Sequence, residues 1–162
     1  MSNGPKFDIL DLFLENKIIK PDIAEMARNY AKKWRMSGFH AVLATHIMSE
    51  SGLADTLGKL LKVDRVWQVK TLDFDYNALK ILSFKQSREW ELLIAGPSHS
   101  HANKIEVVMA DPTRIDYVEY IEKQLQAELT LAVSERKDIV SAIDQIYPLE
   151  DQLPGLYRPM DV

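Results

Sequence analysis

The chain has 162 residues, 46% of them hydrophobic and 27% charged, with a formal net charge of -4 and no cysteine. This is the composition of one globular unit that can bury its own core. It excludes disulfide stapling, thiol catalysis and cysteine-ligated metal or iron–sulfur centres. The negative balance argues against sequence-blind nucleic-acid binding, which draws on a basic surface. No run approaches the roughly 18 apolar residues that a membrane-spanning helix needs. The opening segment passes from mostly polar Met1–Lys6 into an apolar run broken by Asp8 and Asp11, a poor signal peptide. The expectation is a cytoplasmic protein or domain with no membrane insertion.

In chain order, residues 8–15 suit a short helix capped by Asp8, with Ile9, Leu12 and Phe13 as its apolar stripe. Pro21 fits the first position of the next helix, because its missing N–H would be unpaired there anyway. Ile23, Met26, Ala27, Tyr30, Ala31 and Trp34 then repeat at helical spacing, which predicts a helix over 21–34. Ser37 and Gly38 mark a break, and Phe39, Val42, Leu43 and Ile47 resume the period. Ser49 to Gly52 reads as a further break before a fourth helix carrying Leu53, Ala54, Leu57, Leu60 and Leu61. Gly58 inside it points to close packing.

The period changes after Lys62. Val66 to Val69 has strand composition. Asp75 and Ser83 can cap short helices at 76–82 and 84–89. Trp90 to Ala95, apolar except for Glu91, and Lys104 to Met109, where Ile105, Val107 and Met109 alternate, predict a β-hairpin around the polar loop 96–103. Asp111 and Pro112 form a helix start, with Ile115, Val118, Ile121 and Leu125 as the buried face to Gln126. Leu129, Leu131 and Val133 alternate as a strand, and Ser134 can cap a last helix with Ile139, Val140, Ile143, Ile146 and Tyr147. The expected fold class is α+β: an N-terminal helical subdomain, 1–63, then a small α/β sandwich, 64–148, in the order β-α-α-β-β-α-β-α. Residues 149–162 read as an extended or mobile tail. With no polar linker at the split, the two parts are expected to share an interface.

Catalytic chemistry finds little footing. The six glycines form neither a Walker A loop nor a dinucleotide fingerprint. His40 and His46 do not share a helical face. His99 and His101 would point the same way in extended chain, a weak candidate metal pair without a third ligand nearby. Ser98, Ser100, His99 and Asp111 lack the strand–turn–helix setting of a nucleophile elbow. No catalytic residue, cofactor or resident metal is expected, and the chain reads as a non-enzyme. The one chemical asymmetry is basic: Lys32, Lys33, Arg35, Lys59, Lys62 and Arg65, with Trp34 and Trp67 among them. Such a set suits docking of an acidic partner or an anionic ligand.

The segment Val107-Val108-Met109-Ala110-Asp111-Pro112-Thr113 has a familiar order around it. Ser51 to Val63 and Trp67-Gln68-Val69 come before it, then Asp75-Tyr76-Asn77-Ala78-Leu79, and Ala132 to Ile139 follow it. Together these residues resemble the N-terminal domain of type II secretion and type IV pilus assembly ATPases, from about residue 46 to residue 147. The resemblance implies a helical part joined to an α/β part that docks on cytoplasmic portions of inner-membrane platform proteins, or works beside a motor ATPase. The motor's own P-loop is absent from this sequence. The resemblance therefore implies a non-catalytic adaptor, cytoplasmic or peripheral to the inner membrane through its partner. The initial Met and polar tail favour a small whole protein over an excised domain.

Some members of that family bind cyclic di-GMP through a repeated helical motif with an Arg-Leu-Gly start and a later Gly before a Leu-Ile pair. Matched to it, Asp8, Ile9 and Leu10 stand at the start and Lys17 at the later glycine. His46 stands at that glycine in a second copy. Glycines permit close backbone approach to a ligand, and larger residues fill their places here. A cyclic di-GMP or other small-anion sensor is thus the alternative reading. The Asp111-Pro112 pair is expected to be a structural cap that locks Ile105, Val107 and Met109 against Ile115 and Val118.

Overall fold

The structure, a computed structural model, describes residues 8–97 and 103–152. The polar loop with His99 and His101, and residues 153–162 of the expected tail, lie outside the described residues.

Four helices form in the first half as the spacing predicts, but the third ends at Ala44, short of Ile47, and Met26 and Trp34 of the stripe read on the second lie exposed, at 40% and 58%. Helix α1 (Ile9–Glu15) starts where the Asp8 carboxylate accepts the Leu10 N–H at 2.8 Å. Helix α2 (Pro21–Trp34) carries Pro21 at its first position. Helix α3 (Gly38–Ala44) is capped by Ser37, whose Oγ accepts the His40 N–H at 3.2 Å. Helix α4 (Glu50–Leu61) is capped by Ser49, which accepts the Gly52 N–H at 3.0 Å. The Ser49–Gly52 break is therefore the cap and first turn of α4.

These four helices are two copies of one hairpin. The same interval separates Asp8 from Ser37, Lys17 from His46 and Lys20 from Ser49, and all six hold matching places. The first helix of each copy ends with the same wiring. Ile18 N–H donates to Phe13 O at 2.8 Å, and Ile47 N–H donates to Val42 O at 3.1 Å. Lys17 and His46 both adopt left-handed backbone, at φ 57° and 58°. The turn that a glycine would favour is kept while the glycine is not.

The second half builds β1 (Asp64–Arg65), a 3-10 turn at Val69–Thr71, α5 (Tyr76–Leu79), α6 (Phe84–Trp90), β2 (Leu92–Pro97) and β3 (Ile105–Met109). It continues with α7 (Ile115–Leu125), β4 (Leu129–Val133), α8 (Arg136–Ile146) and α9 (Leu149–Gln152). The open sheet is mixed, in the order β1-β4-β3-β2, with β4 parallel to both neighbours and β2–β3 an antiparallel hairpin. The register slips between Ile94 and Gly96. Gly96 has φ 132°, and a Cβ there would come within 2.9 Å of Asp75 Cβ, so this bend admits only glycine.

Side-chain tethers explain where the sequence reading shifts. The strand expected at Val66–Val69 forms at Asp64–Arg65 instead. Ser134 Oγ donates to Val66 O at 2.6 Å and Asp138 accepts the Val69 N–H at 3.3 Å, which draws the chain off the ladder into the 3-10 turn. Ser134 is thereby spent on Val66, and Glu135 is the N-cap residue of α8. The hairpin strand begins at Leu92, because Trp90 belongs to α6 and Glu91 ends that helix with φ 53°. Asp111 does accept the Thr113 N–H, at 3.1 Å, but this closes a turn over 111–114, and α7 starts only at Ile115. Pro112 thus sits in that turn and not at a first helical position. Residues 149–152, expected extended, form a helical turn tied back by Gln152 Nε2 donating to Tyr147 O at 2.7 Å.

The sheet alternates its side chains between two cores. On one face Val108 and Val133 join Phe13, Val42, Leu57 and Ile139, so the helical hairpins and the sheet share one apolar cluster. On the other face Val107, Met109, Leu92 and Ile94 pack under α7 through Ile121, with Val118 at the margin. The second cluster is built on Ile121 where the sequence suggested Ile115. Gly58 lets α4 lie directly on β4: a Cβ there would meet Val133 Cγ1 at 3.3 Å.

Two stability changes follow. Val107→Ala empties a fully buried site and lowers stability by about 2–3 kcal/mol in urea denaturation. Lys17→Gly and His46→Gly relieve left-handed strain, and each raises stability by roughly 0.5–1 kcal/mol, the strain relief less the entropy of glycine in the unfolded chain. A loss of stability in both glycine variants refutes the strain argument.

Candidate functional site

Three places concentrate polar chemistry. The first is a groove of about 400 Å³ at the starts of the two hairpins, lined by Asp8, Leu10, Arg28, Gly38, Phe39, Thr113 and Arg114, among others. Its size suits a small ligand. Its charges are already matched. Arg28 pairs with Asp11 and lies 3.9 Å from Asp8. Arg114 grips Asp116 with two bonds, 3.0 and 2.8 Å, which raises the pKa of Arg114 and lowers that of Asp116. Packing strips water from the Asp111 carboxyl and pushes its pKa up, against the opposing pull of Thr113, Arg114 and His40. At the two hairpin starts stand Asp8 and Ser37, and both are engaged as helix caps.

The second place is Glu91. It is 7% exposed and joins three elements. Its Oε1 pairs with His40 Nε2, while Arg136 Nε lies 2.7 Å from its Oε2. That guanidinium N–H is not aimed at the oxygen, so the charges are matched without a hydrogen bond. Ser37 Oγ lies 2.8 Å from His40 Nδ1, which puts serine, histidine and glutamate in line. The cavity beside them, about 20 Å³, has room for a water and no substrate. Ser37 also serves as the α3 cap, and the row braces helix to sheet. Sequence reasoning missed Glu91, although one acid inside an apolar run was its signal.

The third place is the α4–β1 edge. Arg65 Nε donates to Asp55 at 3.0 Å and Nη1 to Val66 O at 2.6 Å. Its guanidinium carbon lies 3.9 Å from the centre of the Trp67 ring, and Trp67 is 63% exposed. Lys59, Arg65 and Trp67 line one groove of about 400 Å³ together with Asp55, Gly58 and Val63. Lys62 ends α4 beside them. The remaining basic residues of the sequence reading, Lys32, Lys33 and Arg35, surround a second exposed tryptophan, Trp34, at the end of α2. The structure therefore brings together one part of the expected basic set, and Asp111 and Pro112 form a turn at the groove between the hairpin starts. Among the described residues no group of three or more His, Asp or Glu is placed to hold a metal.

The family model of the MshEN domain matches residues 72–153. The fold is also that of solved structures. The structure of MshE with cdg aligns with a TM-score of 0.65 at 21% identity, covering 88% of this chain and 100% of that one. The N-terminal domain of XpsE aligns in two crystal forms with TM-scores of 0.59 and 0.69, at 20% and 19% identity, each over 91% of this chain and 99% of that one. No curated protein matches the chain.

The raised pKa of Asp111 fixes a pH dependence. The folded chain holds this proton more tightly than the unfolded chain, whose carboxyl keeps its ordinary value of 3.8. The stability this gives is complete below that value and is lost as pH rises through the folded value. Asp111→Asn cannot ionise. Denaturation followed from about pH 3 to pH 7 is therefore expected to show wild type losing stability relative to the variant as pH rises. Parallel curves rule out the raised value.

Proposed function

The chain belongs to the MshEN domain family, and on that premise we propose that it is a non-catalytic docking domain of type II secretion or type IV pilus-like machinery. It is related to the N-terminal domains of the assembly ATPases of those systems. Its partner is the cytoplasmic part of an inner-membrane platform protein or a motor ATPase, which places it in the cytoplasm at the inner membrane. Among the described residues no helix is long and apolar enough to cross a membrane.

The observation that carries this reading is the pair of exposed tryptophans set among cations. Trp34 is 58% and Trp67 63% exposed, with Lys33 and Arg65 against their rings. Tryptophan and arginine dominate the energetic centres of protein interfaces, and both rings stand open to solvent beside a cation. The docking residues proposed are accordingly Lys32, Lys33, Trp34 and Arg35 with Lys59, Lys62 and Arg65.

A second reading, a sensor of cyclic di-GMP, draws on the MshE structure with cdg and on the groove at the hairpin starts. Its chemistry speaks against that ligand. A dianion there meets Asp8 and Asp111, while both arginines are already engaged with aspartates.

Two titrations test these readings. Calorimetry of the full chain against cytoplasmic platform fragments is expected to give a Kd of about tens of micromolar or tighter. No binding in that range defeats the docking reading. Cyclic di-GMP at about 100 micromolar is expected to give no heat, and saturable binding there restores the sensor.

A further inference from the structure

We propose that the groove between α4 and β1 seats an acidic segment of the protein partner, with a carboxylate at Lys59 and Arg65 and an apolar neighbour laid on Trp67. This rests on the docking reading and narrows it to one site and one partner chemistry.

Charge singles out the segment. Residues 55–70 contain Lys59, Lys62, Arg65 and Lys70 against Asp55 and Asp64, a net of +2. The whole chain carries -4, so the other residues sum to -6. A positive edge on a negative body steers an acidic partner to that edge and repels it elsewhere.

Arg65 supplies the anchor. Its Nε and Nη1 are occupied by Asp55, Val66 O and Ser134, which fix the guanidinium in place. Its Nη2 is buried and has no hydrogen-bond partner. That atom is closed to solvent, so a docking carboxylate meets the fixed positive charge of the guanidinium rather than this donor, with Lys59 in the same groove to pair with it. Lys59 and Lys62 are exposed on the same edge, free to turn toward the incoming charge. The Arg65 guanidinium carbon lies over the Trp67 ring, 3.9 Å from its centre, and the ring, 63% exposed, remains open to a partner.

The occupant is a protein segment and not a nucleic acid. A polyanion needs a continuous basic track, whereas Asp55 and Asp64 interrupt this one and the chain as a whole repels it. Nor is Trp34 the equal of Trp67: its cation, Lys33, stands 5.4 Å from the ring on a flexible stem, against 3.9 Å for the pinned Arg65.

The test uses the full chain and the platform fragments of the docking titration. The double variant Lys59→Glu/Lys62→Glu changes two exposed side chains and is expected to weaken binding at least thirtyfold with unchanged melting. Trp67→Ala is expected to weaken it at least tenfold. Lys85→Glu, an exposed charge change on α6, is expected to bind within twofold of wild type. Wild-type binding that both edge variants retain within twofold overturns this site while leaving the docking reading intact. Wild-type chain that binds no fragment overturns both. A single-stranded oligonucleotide that competes for the edge, and loses affinity in the same variants, overturns the acidic-peptide occupant.

Discussion

A buried carboxylate governs the arrangement of this chain. Glu91 sits at a left-handed corner between α6 and β2, almost wholly out of water. A carboxyl group buried there is tolerated only when polar or charged partners reach it. His40 comes from α3 and Arg136 from the first turn of α8, and Arg136 also lies 3.9 Å from Glu50 at the start of α4. The main chain of the same residue accepts the Ala110 N–H at 3.1 Å, at the foot of the β2–β3 hairpin. The seat of the second helical hairpin, the beginning of the sheet and the entry of α8 are thus referred to a single point.

The helical half repeats its backbone geometry while its side chains differ between the copies. Capping side chains, turn hydrogen bonds and left-handed corners recur in both copies. Yet the groove where the two copies meet presents aspartates beside engaged arginines. The turns are held by backbone bonds that many residues satisfy, whereas ligand contact needs particular atoms at particular places.

What could be read from the sequence was what depends on neighbours along the chain. The extent of α2, the caps at Asp8, Asp75 and Ser83 and the alternation of Ile105 to Met109 are local patterns, and each appears in the fold, although Met26 and Trp34 of the α2 stripe stay exposed. Beyond boundary shifts such as the start of α7, the failures are long-range. Val66 to Val69 has the composition of a strand, but Ser134 and Asp138 take its backbone groups. Ser134 looked like a cap and is engaged elsewhere for the same reason. The row of Ser37, His40, Glu91 and Arg136 spans a hundred positions of sequence and leaves no spacing to find. The basic residues were grouped by composition alone. Only folding puts Lys59 and Arg65 in a groove with Trp67 and leaves Lys32 to Arg35 around Trp34.

The central strand carries a consequence for the order of events in folding. β4 lies between β1 and β3, and Val133 is the surface on which Gly58 lets α4 rest. Both hairpins are therefore made long before the residues that form their floor. At a synthesis rate of about 5–20 residues per second, the newly made helices wait on the order of ten seconds for that strand to emerge. During that interval the apolar stripes of α1, α3 and α4 lack the cover that Val133 and Ile139 supply in the finished core. The nascent chain is then at its most exposed to chaperones and to premature association, and consolidation of the whole core comes as one late step.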